Sequence, residues 1–256
     1  MISGGANITN MFATIVYVSA IKPVPVSRRD RPAKPPLSRE VIVAVAVRLL
    51  RDEGLERVTM RRLAHELDTG PASLYVYVQN TAELHGAVLD ELLAGIDLRI
   101  EADAGTWRSR LVELFTTYTR VLFSQPSLAR SVLALRPSGP NYLRLIDTAL
   151  ALLGIGGVPT QQAAWGVDLL LQQATATAAE HGTRHESPDA ETEQDVLALV
   201  LREVSETEYP SIARAGGDLV SGTGRERLRW AFEVLIGGIA TTGTTLPTTA
   251  SPAAAD

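Results

Sequence analysis

Residues 58–77, VTMRRLAHELDTGPASLYVY, contain two short amphipathic segments separated by a turn. Thr59 is a favourable residue before a helix, and apolar residues then recur at the spacing of one helical face from residue 63 to 67. Residues 68–70 interrupt this pattern, and Pro71 suits the first position of a second helix, where its missing N–H needs no partner. The stretch predicts a helix-turn-helix, a unit that can place its second helix in the DNA major groove.

Several side chains in this stretch carry chemistry that suits DNA. Arg61 and Arg62 fall in the first turn of the first helix, where a cation opposes the helix dipole, so their position favours an anionic partner such as phosphate, or a guanine edge. Ser73, Tyr75 and Tyr77 carry hydroxyl groups that can donate to phosphates. The alternative is an ordinary helical pair inside an all-α protein.

The preceding residues predict a third helix that completes a small domain over residues 37–80. Ser38 can cap this helix, while Leu37 and Ile42 stand at the two positions of a hydrophobic staple. Apolar residues continue at helical spacing to Leu50, and Gly54 is expected to end the helix.

Composition supports a two-part molecule. The chain has 256 residues, a net charge of -5 and no cysteine, which excludes disulfides and thiolate metal sites and agrees with a reducing cytoplasm. Residues 28–81 carry a net charge of +3, whereas residues 82–256 carry -9. A basic module on an acidic body is the charge distribution expected of a small DNA reader attached to a domain with another role.

Residues 1–36 are expected to be a partly basic arm without regular structure. The apolar run at 11–21 is too short to span a bilayer, and several prolines keep the following residues extended. Residues 1–26 are expected to be disordered or to result from a start codon assigned too early. The basic residues Arg28 and Arg29 suit phosphate or minor-groove contact, with a solubilising tail as the alternative.

Residues 81–242 predict a larger helical domain, which forms the body of the molecule. A long helix capped by Thr81 is expected to run to about Ile96, and no alternating strand pattern of any length appears. Residues 181–193 are polar and acidic and predict a loop, and residues 243–256 predict a disordered tail. The further helices are predicted at about 107–123, 126–135, 140–153, 159–180, 194–205 and 225–241. The fold class is therefore all-α.

The run from Ser38 to about Leu93 resembles the DNA-binding domain of the tetracycline-repressor (TetR) family. The residues that carry the resemblance are Gly54, Thr59, Leu63, Ala64, Leu67, Leu74 and Tyr75. The remainder is more weakly similar to the C-terminal domain of tetracycline repressors, through Trp107, the Arg136-Pro137 pair and the closing FEVLIGGIA.

The resemblance implies a set of DNA-contacting residues. Arg61 would contact guanine, Pro71 and Ala72 would meet base edges or thymine methyl groups, and the hydroxyl side chains would hold phosphates. Two positions depart from the family: Asp68 replaces the usual glycine but tolerates left-handed geometry, and Thr81 lacks the charge of the lysine often found there. The predicted DNA contacts are Arg28, Arg29, Thr59, Arg61, Arg62, Gly70, Pro71, Ala72, Ser73, Tyr75, Tyr77 and Thr81.

The resemblance also implies a homodimer that binds a palindromic double-stranded DNA operator. The helices at about 159–180 and 225–241 would form the dimer interface, with an internal core pair as the alternative reading. Two half-sites one helical turn apart, roughly 34–36 Å, suit two linked modules.

A TetR-like body further implies a pocket for a small-molecule inducer. The polar ligands of magnesium-tetracycline would fall on Asp97, Leu114 and Val132, so tetracycline itself is not expected. A mostly apolar pocket instead suits a hydrophobic natural product or drug, with no cofactor. The residues expected to face inward and line this pocket are Leu92, Ile96, Leu114, Phe115, Tyr118, Val132, Leu135, Trp165, Leu169 and Gln173.

Other classes of function have less support. The sequence contains no Gly-rich phosphate loop, HExxH motif or nucleophile elbow, so an enzyme is not expected. His181 and His185 have a spacing that could bind a metal on a helix, but the predicted loop argues against a metal site. A second alternative is an architectural DNA-binding protein without ligand control. The sequence thus predicts a homodimeric, ligand-responsive transcriptional regulator, with the assignment as a repressor resting on the resemblance.

Overall fold

The computed structural model describes residues 36–100, 103–133, 135, 137–186 and 190–244. Over these residues the regular structure is entirely helical, which confirms the predicted fold class. The α-helices are α1 Arg39–Glu53, α2 Met60–Glu66, α3 Pro71–Leu74, α4 Thr81–Leu93, α5 Trp107–Phe123, α6 Pro126–Val132, α7 Pro140–Ile155, α8 Thr160–Glu186, α9 Ala190–Glu203, α10 Pro210–Ala215 and α11 Gly224–Thr241. Short 3-10 turns lie at Leu55–Arg57 and Gly216–Val220.

Helices α1, α2 and α3 form the predicted helix-turn-helix module. Ser38 caps α1 by accepting a hydrogen bond from the Val41 N–H at 3.3 Å, and Thr59 caps α2 by accepting one from the Arg62 N–H at 3.2 Å. Gly54 ends α1 with a φ of 86°, a conformation that favours glycine. The caps and helix ends read from the sequence are therefore confirmed for α1 and for the start of α2.

The turn between α2 and α3 has a left-handed residue at Asp68, where the family usually has glycine. Asp68 has a φ of 48°, and its N–H bonds to the His65 carbonyl at 3.1 Å, while the Thr69 N–H bonds to the Ala64 carbonyl at 2.9 Å. This pair of bonds is a Schellman motif with aspartate in the left-handed position. The turn therefore forms without glycine, as predicted.

Helix α4 leaves the module and enters the body, but its two ends differ from prediction. Asn80, not Thr81, is the cap, because its side chain accepts the Glu83 N–H at 2.8 Å. Thr81 is the first helical residue and is exposed. The helix ends at Leu93, so Ile96 lies beyond it, although its side chain is buried.

The body packs α5 and α6 against α8, and α7 and α11 each contact both α5 and α8. Its core includes Phe115, Leu122, Leu170 and Phe232. At Gly166 a Cβ atom would lie 2.6 Å from Ile239, so this glycine lets α11 approach α8 closely. The region also contains α10 and the 3-10 turn after it, which the sequence did not predict.

The predicted loop at 181–193 is wrong for residues 181–186 and 190–193, and residues 187–189 lie outside the described residues. Helix α8 continues to Glu186, and a further helix begins at Ala190. Gly182, which suggested a break, is helical and lies against α6, where an added Cβ would be 2.3 Å from the Pro126 side chain. An ion pair at 2.7 Å between Glu180 and Arg184, four residues apart, supports the same extension. Helix α6 conversely ends at Val132 rather than near 135.

The predictions for residues 1–35 and 245–256 lie outside the described residues, including the roles of Arg28 and Arg29. Among the residues that are described, no helix combines the length and apolar character needed to cross a bilayer.

Candidate DNA-binding surface and ligand cavity

Helix α3 is a single turn whose two sides differ sharply. Leu74 and Val78 are fully buried beneath it, as the sequence predicted. The opposite side is exposed, including Tyr75 and Val76 at 51% and 80%. The predicted DNA contacts on this exposed side are Gly70, Pro71, Ala72, Ser73 and Tyr75. Tyr77 differs from them, because it is half-buried and packs against the core.

The two arginines of α2 have different surroundings. Arg62 pairs with Glu53 of α1 at 2.7 Å and with Glu66 at 2.9 Å, and Glu66 also pairs with Arg48 at 2.6 Å. This network holds α1 and α2 together and explains a cation in the first turn without invoking DNA. Arg61 is exposed and has no ion-pair partner among the described residues. Arg61 is therefore the better placed of the two for an outside partner.

Two polar side chains attach α4 to the body. His85 Nδ1 lies 2.5 Å from the Ser131 hydroxyl of α6. Burial lowers the pKa of His85. Buried Asp90 accepts the Tyr142 N–H at 2.8 Å and the Asn141 side-chain amide at 3.2 Å, so it binds the N-terminus of α7. Gly139 makes this approach possible, since a Cβ there would lie 2.2 Å from Asp90 Cγ.

A cavity of about 540 Å³ opens in the body between α5, the end of α6, the start of α7 and α8. Its wall contains three of the predicted pocket residues, Tyr118, Val132 and Leu135. The wall residues that the sequence did not identify are Leu133, Pro137, Tyr142, Asp168, Leu171, Gln172, Thr175 and Ala176. The cavity therefore shares its α5 and α6 residues with the predicted pocket, but a different face of α8 lines it.

The remaining predicted pocket residues are distributed elsewhere. The inward orientation expected for Trp165 and Leu169 is wrong, because they are 51% and 44% exposed on the outside of α8. Gln173 donates to the Thr177 hydroxyl at 3.0 Å along the same helix. Leu92, Ile96, Leu114 and Phe115 belong to the packed core, outside the set that lines the cavity.

The cavity has a polar edge on α8. The Tyr118 hydroxyl lies 3.2 Å from Thr175 Oγ1, and the Gln172 amide donates to the Asp168 carboxylate at 2.5 Å. Burial raises the pKa of Tyr118, so its phenol is neutral. Asp97 lies away from this wall in the segment after α4. Its pKa is well below the usual range because the Arg99 guanidinium donates to it at 2.7 Å.

A second concave surface lies between α8 and α11 on the outside of the body. It is a shallow groove of about 470 Å³, lined by Trp165, Leu169 and Val234 among others. Trp230, also on α11, is 66% exposed. Exposed aromatic and aliphatic side chains on two adjacent helices are typical of a protein interface.

The paired histidines considered from the sequence lie on α8 rather than on a loop. The ring of His181 packs against Phe123, with 4.6 Å between the ring centroids. Within the described residues, histidine, aspartate and glutamate form no group of three or more with the geometry of a metal site.

The module, body and helix order match a known class of protein. Residues 42–88 match the model of bacterial regulatory proteins of the tetR family, and residues 101–242 match the model of the tetracyclin repressor-like C-terminal domain. Because the second match alone covers more than half of the chain, the protein belongs to the TetR family of transcriptional regulators.

Three relatives illustrate this membership. The HTH-type transcriptional repressor DrrR1 of Streptomyces coeruleorubidus is 27% identical, and the match covers 82% of each chain. The structure of SCO7704, a Streptomyces protein described as a transcription regulator, is 55% identical with a TM-score of 0.70, covering 84% of this chain and all of that one. ActR of Streptomyces coelicolor in complex with actinorhodin is 33% identical with a TM-score of 0.71, covering 80% and 95%. The chain is thus a DNA-binding regulator of the repressor type.

Proposed function

We propose that this protein represses transcription as a homodimer on a palindromic operator and is released from it by a small hydrophobic molecule. The observation that supports this most directly is Tyr142. Its side chain lines the cavity, while its backbone N–H binds Asp90 on α4. A ligand that moves Tyr142 would therefore disturb the hydrogen bond between Tyr142 and Asp90. Through this bond it would act directly on α4, the helix that follows the DNA-binding module.

In this proposal α3 lies in the major groove, with Arg61 reading guanine and the α3 hydroxyl groups on phosphates. Thr59 and Thr81 lie at the starts of α2 and α4, where backbone N–H groups can bind phosphate. Arg62 contributes less to DNA binding, since its guanidinium is already held by two carboxylates. The N-terminal arm with Arg28 and Arg29 adds contacts to phosphate or the minor groove.

The dimer would form through α8 and α11. The exposed Trp165, Leu169, Trp230 and Val234 provide the apolar centre that such an interface needs. A two-fold axis would repeat the same groove on both copies, so each tryptophan-bearing surface would meet its own equivalent. For the ligand to release the protein from its operator, it must bind the DNA-free conformation of the dimer more tightly than the DNA-bound conformation.

The first experiment measures binding of the purified protein to the DNA upstream of its own gene at two salt concentrations. Arg61→Ala combined with Tyr75→Ala is expected to abolish specific binding. Arg202→Ala, an exposed arginine on α9, serves as the matched control and should bind like wild type. Weak binding without sequence preference by wild type and variant alike would instead indicate an architectural DNA-binding protein.

Two further measurements test the regulatory part. Leu169→Glu should convert the dimer to monomers in analytical ultracentrifugation and weaken operator binding, whereas Glu180→Gln, a change at an exposed residue of the same helix outside the groove, should do neither. Actinorhodin, the ligand bound by ActR, is the first probe for release of the operator. A dimer that survives Leu169→Glu would place the interface elsewhere.

A further inference from the structure

The inner end of the cavity has a fixed pattern of hydrogen-bond donors and acceptors. Thr175 Oγ1 donates its single proton to the Leu171 carbonyl at 2.9 Å. In the 3.2 Å contact between the two hydroxyl groups, Tyr118 must therefore be the donor and Thr175 the acceptor. Both hydroxyl protons are committed, and the oxygen of Tyr118 keeps only lone pairs to offer a ligand.

The outer rim of the polar edge has the same character. Asp168 is the carboxylate among the described wall residues, and ionised carboxylate oxygens can only accept hydrogen bonds. Gln172 already directs one of its amide protons to that carboxylate. The remainder of the wall contains the apolar residues Val132, Leu135, Pro137 and Leu171 together with Tyr142, whose phenol can both donate and accept. The cavity thus combines apolar side chains with a polar edge on which Tyr118 and Asp168 offer acceptors.

From this arrangement we infer that the cavity selects a largely apolar molecule bearing a phenolic or amino group, and that this group donates a hydrogen bond to the hydroxyl oxygen of Tyr118. The inference rests on the proposed function, since it takes the cavity to be the ligand site. A molecule that presents an acceptor at this point must first break the bond between Tyr118 and Thr175. One that presents a methyl group leaves a buried acceptor unpaired, which is unfavourable.

Burial supports this reading of Tyr118. The side chain is 2% exposed and Thr175 is 9% exposed, so a ligand that fills the cavity leaves little room for water at either hydroxyl group. Because burial raises the pKa of Tyr118, the phenol keeps its proton and the bond to Thr175 at neutral pH. Selection by paired donors and acceptors is strong in such sites, because a mismatched ligand cannot be rescued by solvent.

The test compares 2,6-dihydroxyanthraquinone with 2,6-dimethoxyanthraquinone, which share one ring system and differ in donors. Isothermal titration calorimetry on the full chain should show the dihydroxy compound binding about 10-fold tighter or more, the ratio expected from one unpaired buried acceptor. 2,6-Diaminoanthraquinone should bind like the dihydroxy compound. Equal or tighter binding of the dimethoxy compound would overturn the inference.

Three variants separate hydrogen bonding from shape. Tyr118→Phe keeps the ring and should reduce the preference to about 3-fold or less. Thr175→Val frees the Tyr118 proton and should selectively improve binding of the dimethoxy compound. Thr119→Val removes a buried hydroxyl one residue along α5 that lies outside the cavity wall, and should leave the preference unchanged.

If Tyr118→Phe keeps the full preference for the dihydroxy compound, the preference arises from ligand shape rather than from a hydrogen bond to Tyr118, and the inference is overturned. If neither anthraquinone binds while the protein still binds its operator specifically, the inference also fails and the regulator function stands. If operator binding fails while the donor preference is found, the proposed function fails and the chemistry of the cavity stands.

Discussion

Replacing Asp90 with alanine should destabilise the contact between α4 and α7 more than any exposed acidic substitution in the chain. Asp90 is 7% exposed and accepts the Tyr142 N–H at 2.8 Å and the Asn141 side-chain amide at 3.2 Å. The carboxylate also faces the positive end of α7, a helix of 16 residues. Alanine would leave the Tyr142 N–H without an acceptor in a half-buried position.

The size of the effect follows from these contacts. A hydrogen bond to a charged group contributes about 1.5–3 kcal/mol, and a carboxylate at a helix N-terminus adds about 0.3–1 kcal/mol. Asn141 keeps a second bond, to the Asp90 carbonyl at 3.0 Å, so its loss is partial. We expect a decrease of about 2–4 kcal/mol in the free energy of unfolding, which corresponds to a Tm lower by roughly 5–15 °C.

Thermal and urea unfolding followed by circular dichroism would measure this loss. Asp147→Ala removes an exposed carboxylate from α7 itself and should leave the Tm nearly unchanged. Asp90→Asn keeps one acceptor and should fall between the two. Gly139→Ala should resemble Asp90→Ala, because its Cβ would occupy the position of the carboxylate. If Asp90→Ala were as stable as Asp147→Ala, the α7 cap would not be a stabilising contact, and the reasoning would be refuted.

Three further substitutions test separate parts of the fold. Burial lowers the pKa of His85 in the folded state, so the unfolded chain takes up the proton first as the pH falls; stability should be fully present above about pH 6.5 and decrease below it. The Tm between pH 8 and 5 should therefore decrease less in His85→Gln than in wild type, with exposed His65→Gln as the control. Gly156→Ala places a Cβ 2.4 Å from Trp107 and should cost about 1–3 kcal/mol with altered tryptophan fluorescence; an unchanged spectrum and Tm would contradict the packing. Asp68→Val puts a β-branched residue at a φ of 48° and should lower stability by about 1–2 kcal/mol, whereas Asp68→Gly should be tolerated; equal Tm values for both would argue against the left-handed turn.

Local sequence signals predicted the DNA-binding module well. Ser38, Thr59, Gly54 and Pro71 each act within a few residues of their own position, so their effect on helix ends can be read without knowing the tertiary structure. Thr81 shows the limit of this approach. Asn80 and Thr81 are adjacent and both suit a cap, and the choice depends on which side chain reaches the Glu83 N–H.

The body was harder to predict because a glycine there can either end a helix or allow close helix packing, and an apolar residue can either enter the core or face a partner. Gly182 reads as a helix breaker in sequence, yet it lies inside α8 where α6 approaches closely. Trp165 and Leu169 are apolar and were expected to face inward, but α8 buries Ala163, Val167, Leu170 and Ala174 instead. An apolar residue on an interface helix can face a partner, and a single sequence does not distinguish that from a core position.

The cavity wall depends on contacts that no local pattern contains. Thr175 and Gln172 reach the cavity because a polar edge of α8 faces Tyr118. This edge is displaced by about one residue from the face containing Trp165, Leu169 and Gln173 that the sequence predicted. Tyr142 is the third residue of α7, which begins at Pro140, and nothing in the sequence marks it as a cavity residue. Such positions become visible only when α5, α7 and α8 are placed in space.

The net charge of the N-terminal region does not show which basic side chains are available to bind DNA. The net charge of +3 over residues 28–81 belongs to residues 28–35, because residues 36–81 carry six arginines and six acidic residues. Within that balanced module, Arg48 and Arg62 are neutralised by Glu53 and Glu66. Salt screens exposed charges over about 10 Å, so a phosphate at α3 responds to nearby groups rather than to the net charge. In the proposed DNA complex, we therefore expect the exposed side chain of Arg61, unpaired among the described residues, to contribute more to binding than the total number of basic residues.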